Sequence, residues 1–200
     1  MPDTAKATAD VIQQVVEEYG VRLKFDHLSK ILCSDANVAR TIYEATKDVR
    51  SNFGPQIVIA SRGGESESSA NVGDIATFKG LDDLEMDFYS HAVWGLASED
   101  PKTILQGFKY MIHALRPKGI ALVTSLKQQS GEADDGQYTV NLEEKMMYQS
   151  KGKIQKLSDV LEYAGFERGK IRSQEKTTEA GGERIDAEVV LAINWDQLTG

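Results

Sequence analysis

Cysteine is nearly missing from this chain: Cys33 is the only one in 200 residues. A lone thiol excludes an intrachain disulfide framework and a paired-cysteine metal site, and it makes a reducing, intracellular compartment the default expectation. Histidine is scarce too. His27, His91 and His113 are scattered too widely to form a zinc motif, so no metal is expected. Basic charge is in deficit, with 23 Lys and Arg against 31 Asp and Glu and a net charge of -8. That balance argues against nucleic acid as the main partner, because phosphate binding needs a basic face. No apolar run reaches the length of a membrane span, and the opening MPDTAKATAD has no signal-peptide pattern. A cytoplasmic protein with no membrane partner is therefore expected. Internal repeats and coiled-coil heptads are also lacking.

What is present is enough for a packed core. The hydrophobic share of 40% is ordinary for a globular protein, and the length suits one domain better than two. The most informative stretch runs from Met86 to Leu126. Asp87 to Trp94 is aromatic and β-prone, as a strand in a buried sheet would be. Asp100-Pro101 starts a helix, and Ile104, Leu105, Phe108, Met111, Ile112 and Leu115 follow on one helical face. Arg116-Pro117-Lys118-Gly119 ends it, and Ile120 to Thr124 is a continuous apolar run suited to a strand covered on both faces. Strand, helix and strand in this order form a βαβ crossover.

The same reading extends along the chain. Ile12, Val15, Val16 and Tyr19 mark a helix from Ala9, closed by Gly20; Lys30 to Ser34 is a short strand. Val38 to Val49 is a helix with Asn37 as its cap, and Gln56 to Ala60 is a clear strand. Ser61 to Asn71 is a Gly/Ser-rich loop, with a short strand or turn over Val72 to Phe78. Lys127 to Gln137 is a loop or lid, followed by a short helix over Leu142 to Tyr148. Ile154 to Ala164 is helical, Phe166 to Ile171 starts a strand, Ser173 to Gly182 is a polar hairpin loop, and Glu188 to Asn194 is a final strand. Alternating strands and helices predict an α/β fold, and the closing hairpin adds an antiparallel edge.

Over roughly residues 30 to 195 this arrangement resembles the class I S-adenosylmethionine-dependent methyltransferases. Met86-Asp87, Ala92-Val93-Trp94, Ala114 to Gly119 and Leu161 to Phe166 are similar to that family's fourth strand, its turn before the fifth strand and its lead into the terminal hairpin. Cys33-Ser34-Asp35 resembles the acidic end of the second strand, which implies that Asp35 meets the cofactor ribose; Val72-Gly73-Asp74 resembles the Gly-Asp that meets adenine. The fold implied is a Rossmann-like, mostly parallel sheet with a C-terminal antiparallel hairpin. It would form one domain over 1–200: an N-terminal helix and atypical segment (1–29), a central core (30–126), a lid or insert (127–153), and a C-terminal helix and hairpin (154–200).

One part of the family pattern is missing. Its first strand ends in an acidic, glycine-rich loop that lets the backbone approach the cofactor's amino-acid moiety. Between Tyr19 and Lys30 the chain reads GVRLKFDHLS, too short for strand, loop and helix. Arg62-Gly63-Gly64-Glu65 is no substitute, because SESSANVG has no apolar stripe to form the helix such a loop must open. The first βα unit is thus expected to be missing or replaced. Val21 to Phe25 is the candidate replacement strand, and a homodimer or a methyltransferase-type partner subunit is the alternative way to complete the sheet.

Three functions follow from the resemblance. The first is a small-molecule enzyme of a natural-product or other biosynthetic pathway that has lost methyl transfer, needs no cofactor, and catalyses a cyclisation, isomerisation or related rearrangement. The second is a methyltransferase that binds S-adenosylmethionine through a degenerate loop or with a partner subunit. The third is a non-catalytic pseudoenzyme that binds another protein. His91 and Asp74 are the candidates for moving a proton, although a core histidine and a loop acid explain them as well. Asp35 is a ligand-facing acid or a helix cap. Tyr89 and Trp94 either line a substrate pocket or belong to the core. Met146 and Met147 suit a substrate lid, a core patch or a dimer contact.

Overall fold

A computed structural model describes residues 4–49, 56–61, 74–96, 101–127, 151 and 156–195. Among these residues, four helices, α1 (Thr4–Leu23), α2 (Ala36–Ala45), α3 (Pro101–Ala114) and α4 (Leu157–Ala164), flank one seven-stranded sheet. The strands are β1 (Lys30–Cys33), β2 (Gln56–Ser61), β3 (Thr77–Gly80), β4 (Tyr89–Leu96), β5 (Leu115–Lys127), β6 (Ile171–Ala180) and β7 (Glu183–Ile193). Their order is β3-β2-β1-β4-β5-β7-β6, with β1 to β5 parallel and β7 antiparallel to both neighbours.

The period of two in each strand divides the core into two layers. Ile31, Cys33 and Val93 face Val11, Ile12 and Val15 of α1 and Val38 and Ile42 of α2. Leu32, Ala92 and Trp94 face Ile104, Phe108 and Met111 of α3 and Leu157, Val160 and Leu161 of α4. β4 is buried along its whole length because helices cover both faces. No described helix is long and apolar enough to cross a membrane.

The parallel α/β sheet and terminal hairpin agree with expectation; the expected gap in the sheet does not. Lys30–Cys33 lies between β2 and β4, so it is the first strand of the sheet, and Cys33-Ser34-Asp35 ends that strand rather than a second one. Val21 to Phe25 is no replacement strand: α1 continues through Leu23, and Val21 is 89% exposed while Leu23 and Phe25 turn inward. Asp35, not Asn37, caps α2. The polar run 173–180 is strand, not loop. As an edge strand with much of its length in contact with water, β6 needs few apolar residues. Gly181 and Gly182, both at positive φ, make the tight turn into β7.

Candidate functional site

In an open parallel sheet, ligands bind where strands end and helices begin, at the carboxyl edge. Here that edge is built around Ser34 and Asp35. β1 stops at Cys33 and α2 starts at Ala36, leaving a connection of only two residues. Asp35 adopts an extended backbone, and its carboxylate accepts hydrogen bonds from the amides of Asn37 (2.9 Å) and Val38 (3.0 Å). These are donors a helix N-terminus otherwise presents to an anion. The Ser34 hydroxyl donates to the other Asp35 oxygen at 2.7 Å and accepts from the Gly95 amide at 3.0 Å. The Ser34 amide donates to the Val93 carbonyl at 3.0 Å. The turn is therefore fastened both to its own helix and to the carboxyl end of β4.

Helix α1 closes the same place from above. A methyl group added at Gly95 would stand 2.7 Å from Thr8 Cγ2 and 3.1 Å from Val38 Cγ2, so backbone and side chains already touch there. S-adenosylmethionine is the group the fold family implies, and its amino-acid part would need a glycine cradle at this turn. The residues present do not fit that cradle: Ser34, Asp35 and Ala36 all carry Cβ atoms, and the Asn37 and Val38 amides are taken by Asp35.

The other sequence candidates are dispersed. His91 is not near the carboxyl edge: it is the third residue of β4, paired with Ile31 and Ile120 at the amino end. It is 6% exposed and stacks on Phe25 with ring centroids 4.5 Å apart. Its Nε2 donates to the Leu23 carbonyl, and Nδ1 lies 2.9 Å from the Ser90 hydroxyl. Burial holds its pKa below the ordinary 6.5, and the Leu23 carbonyl offsets this only in part. It is a neutral core histidine fastening the end of α1 to the sheet. Asp74 is exposed and precedes β3, on the edge opposite Asp35, so the two acids do not share a site.

Tyr89 and Trp94 are fully buried in the layer under α3 and α4 and line none of the cavities described here. The Tyr89 hydroxyl donates to Glu85 at 2.9 Å; burial first, and that carboxylate second, raise the phenol's pKa. Cys33 is inert: burial, then the Asp35 charge, push its thiol well above the ordinary range. Met146 and Met147 lie outside the described residues. No group of His, Cys, Asp and Glu among the described residues could hold a metal ion. The residue that sequence reasoning missed is Ser34, whose role depends on β4 lying beside β1. Its only local signal was a position between strand and cap.

No family model matches the chain, and no curated protein matches it. Solved structures do. The [4+2]-cyclase SpnF superposes with a TM-score of 0.59 at 10% identity, over 92% of this chain and 80% of that one. The 1,6-didemethyltoxoflavin-N1-methyltransferase of Burkholderia thailandensis, with 1,6-didemethyltoxoflavin and S-adenosylhomocysteine bound, gives 0.58 at 12% identity, over 95% and 79%. Phosphoethanolamine N-methyltransferase 2 of Haemonchus contortus, in complex with S-adenosyl-L-methionine, gives 0.55 at 11%, over 86% of this chain and 50% of that one. Likeness at such low identity concerns the fold alone. The chain has the fold of the class I S-adenosylmethionine-dependent methyltransferases.

Proposed function

We propose that the chain is a methyltransferase-fold protein that no longer transfers methyl groups and that rearranges an organic small molecule, by cyclisation or isomerisation. One observation carries the loss of methyl transfer: Asp35 and Ser34 fill the β1–α2 turn with side chains and occupy the amides of Asn37 and Val38. The fold match to a [4+2]-cyclase supports the class of reaction, since it is a cyclase of similar fold. Such chemistry requires that one reactive conformer of the substrate be held, an entropic task that a shaped cavity performs without a general base. Neither His91, with both ring nitrogens engaged inside the protein, nor Asp74, on the opposite edge, is assigned a proton-transfer role in this reading.

Calorimetric titration with S-adenosylmethionine and S-adenosylhomocysteine tests the loss of methyl transfer. No saturable heat is expected through millimolar concentration. Micromolar affinity in the lone chain would overturn the reading and restore the methyltransferase. The enzymatic part is tested in the source organism. Deleting the gene should abolish one small-molecule product, and the wild-type gene and His91→Gln should both restore it. An unchanged metabolite profile would leave a pseudoenzyme that binds a protein partner.

A further inference from the structure

A cavity lies at the amino edge of the sheet, opposite the Ser34–Asp35 turn, and its lining is unlike that of a packing defect. Its volume is about 370 Å³. The floor is apolar: Ile120 of β5 is paired with Ile193 of β7, Leu191 lies two residues before Ile193, and Leu23 closes the floor from α1. The rim is cationic. Arg22 comes from the last turn of α1, Lys170 from the short 3-10 turn that precedes β6, and Arg172 from the start of β6.

The contacts above the cavity explain why it is open. α1 crosses β6 through a series of matched pairs: Gln14 donates to the Thr177 carbonyl at 3.5 Å, Glu18 pairs with Lys176, and the Tyr19 hydroxyl donates to Gln174 Oε1 at 2.7 Å. One turn further along the helix stands Arg22, and two residues back on the same face of the strand stands Arg172. Two like charges replace a complementary pair, and the row of contacts stops. None of the three cations has a carboxylate partner among the described residues. Arg22 lies over the Tyr19 ring, Lys170 lies 4.1 Å from the centroid of the Trp195 ring, and Arg172 donates to the carbonyls of Gly169 and Ile171. Gln174 lines the cavity as well; its oxygen is held by Tyr19, and its Nε2 is buried with no hydrogen-bond partner. An orphaned amide beside three unneutralised cations marks a place where an acceptor with negative charge belongs.

We infer that this cavity binds an organic monoanion, a carboxylate or similar acid carried on an apolar body. The acid group sits among Arg22, Lys170 and Arg172, and the body lies on Ile120, Leu191 and Ile193. The volume is at the lower end of small-molecule sites, which suits a medium-chain acid better than a large lipid. The negative end of the α1 dipole does not oppose this strongly, because the Gly20 carbonyl accepts from the Lys24 amide and the Leu23 carbonyl from His91. The inference is independent of how the β1–α2 turn is read.

Decanoate, kept below its micelle concentration, is the probe. Calorimetry and the fluorescence of Trp195, which is 44% exposed beside Lys170 while Trp94 is fully buried, should report one saturable site. Arg172→Met keeps the apolar stem of an exposed side chain and removes its charge; it should weaken decanoate about tenfold or more, with the melting temperature unchanged. Gln174→Leu should weaken it as well, and uncharged decanol should bind about tenfold more weakly than decanoate. Equal binding of decanol and decanoate, an unchanged affinity in Arg172→Met, or no saturation would overturn the proposal. Tighter binding to phosphatidylglycerol vesicles than to free decanoate would overturn it too, by assigning the cations to a membrane surface.

Discussion

A proton added to the His91 imidazole would put a charge inside the core, where water cannot solvate it. In the folded chain Nδ1 faces the Ser90 hydroxyl and Nε2 is spent on Leu23, and burial keeps the ring neutral. The sign of the resulting pH dependence follows. The folded pKa lies below 6.5, so on acidification the unfolded chain takes up the proton first. The stabilisation is present above the unfolded value and is lost as pH falls towards the folded one. Urea unfolding between about pH 7.5 and pH 5.5 should show a loss of stability that His91→Gln reduces. His91→Ala, which also leaves a cavity beside Phe25 and an unpaired Leu23 carbonyl, should cost about 2–3 kcal/mol. At Glu85 the effect is of another kind. Lys79 foremost, with the residue's own amide and Tyr89, pulls its pKa down to about 2. Lys79→Met should raise that value towards 4.5, as read by carbon NMR of the carboxylate. Both side chains are partly in water, so little stability should change.

Among the elements, the β1–α2 unit concentrates the most consequence in the fewest residues. Asp35→Ala removes the cap from two amides and should cost about 1 kcal/mol by denaturant unfolding. Gly95→Ala places a methyl group 2.7 Å from Thr8 Cγ2 and should cost about 1–3 kcal/mol. Thr8→Ser deletes that Cγ2 atom, so the double variant should recover part of the loss. Strict additivity would show that α1 does not press on the end of β4. Gly119 offers a contrast. A Cβ there would meet the carbonyl oxygens of Arg116 at 2.8 Å and Tyr89 at 3.1 Å, backbone atoms that no side-chain change can remove. The Arg-Pro-Lys-Gly segment, expected from the sequence as a turn before the strand, lies inside β5, where Lys118 takes a positive φ and the pairing with β4 shifts register. The Gly95 contact was not legible in the sequence, because Thr8 is far away along the chain.

At the scale of the whole molecule, the question is whether the sheet needs a second chain. Among the described residues, seven strands of this chain form one sheet in which each is bonded to its neighbour. The edges are poor templates for pairing: β3 has only four residues, and β6 carries Arg172, Glu175, Lys176 and Glu179. Light scattering should therefore return the mass of one chain across the micromolar range, and a stable dimer would require an interface other than sheet completion. The segment between Tyr19 and Lys30 holds no glycine-rich loop because it precedes the first strand: it is the end of α1 and the connection into β1. The first strand was present all along, but it ends in Ser34-Asp35.

The sequence by itself determined the α/β class, the β4–α3–β5 crossover and the family whose fold this is. Those features depend on periodicity, caps and turns, which are interactions between residues near one another in the chain. Only the tertiary structure decided which strand is first, that His91 serves packing, and that Asp35 and Asp74 lie on opposite edges of the sheet. It also brought Arg22 and Arg172 to one cavity. Each of these depends on strand order and facing register, which place distant residues side by side and leave no local pattern to read.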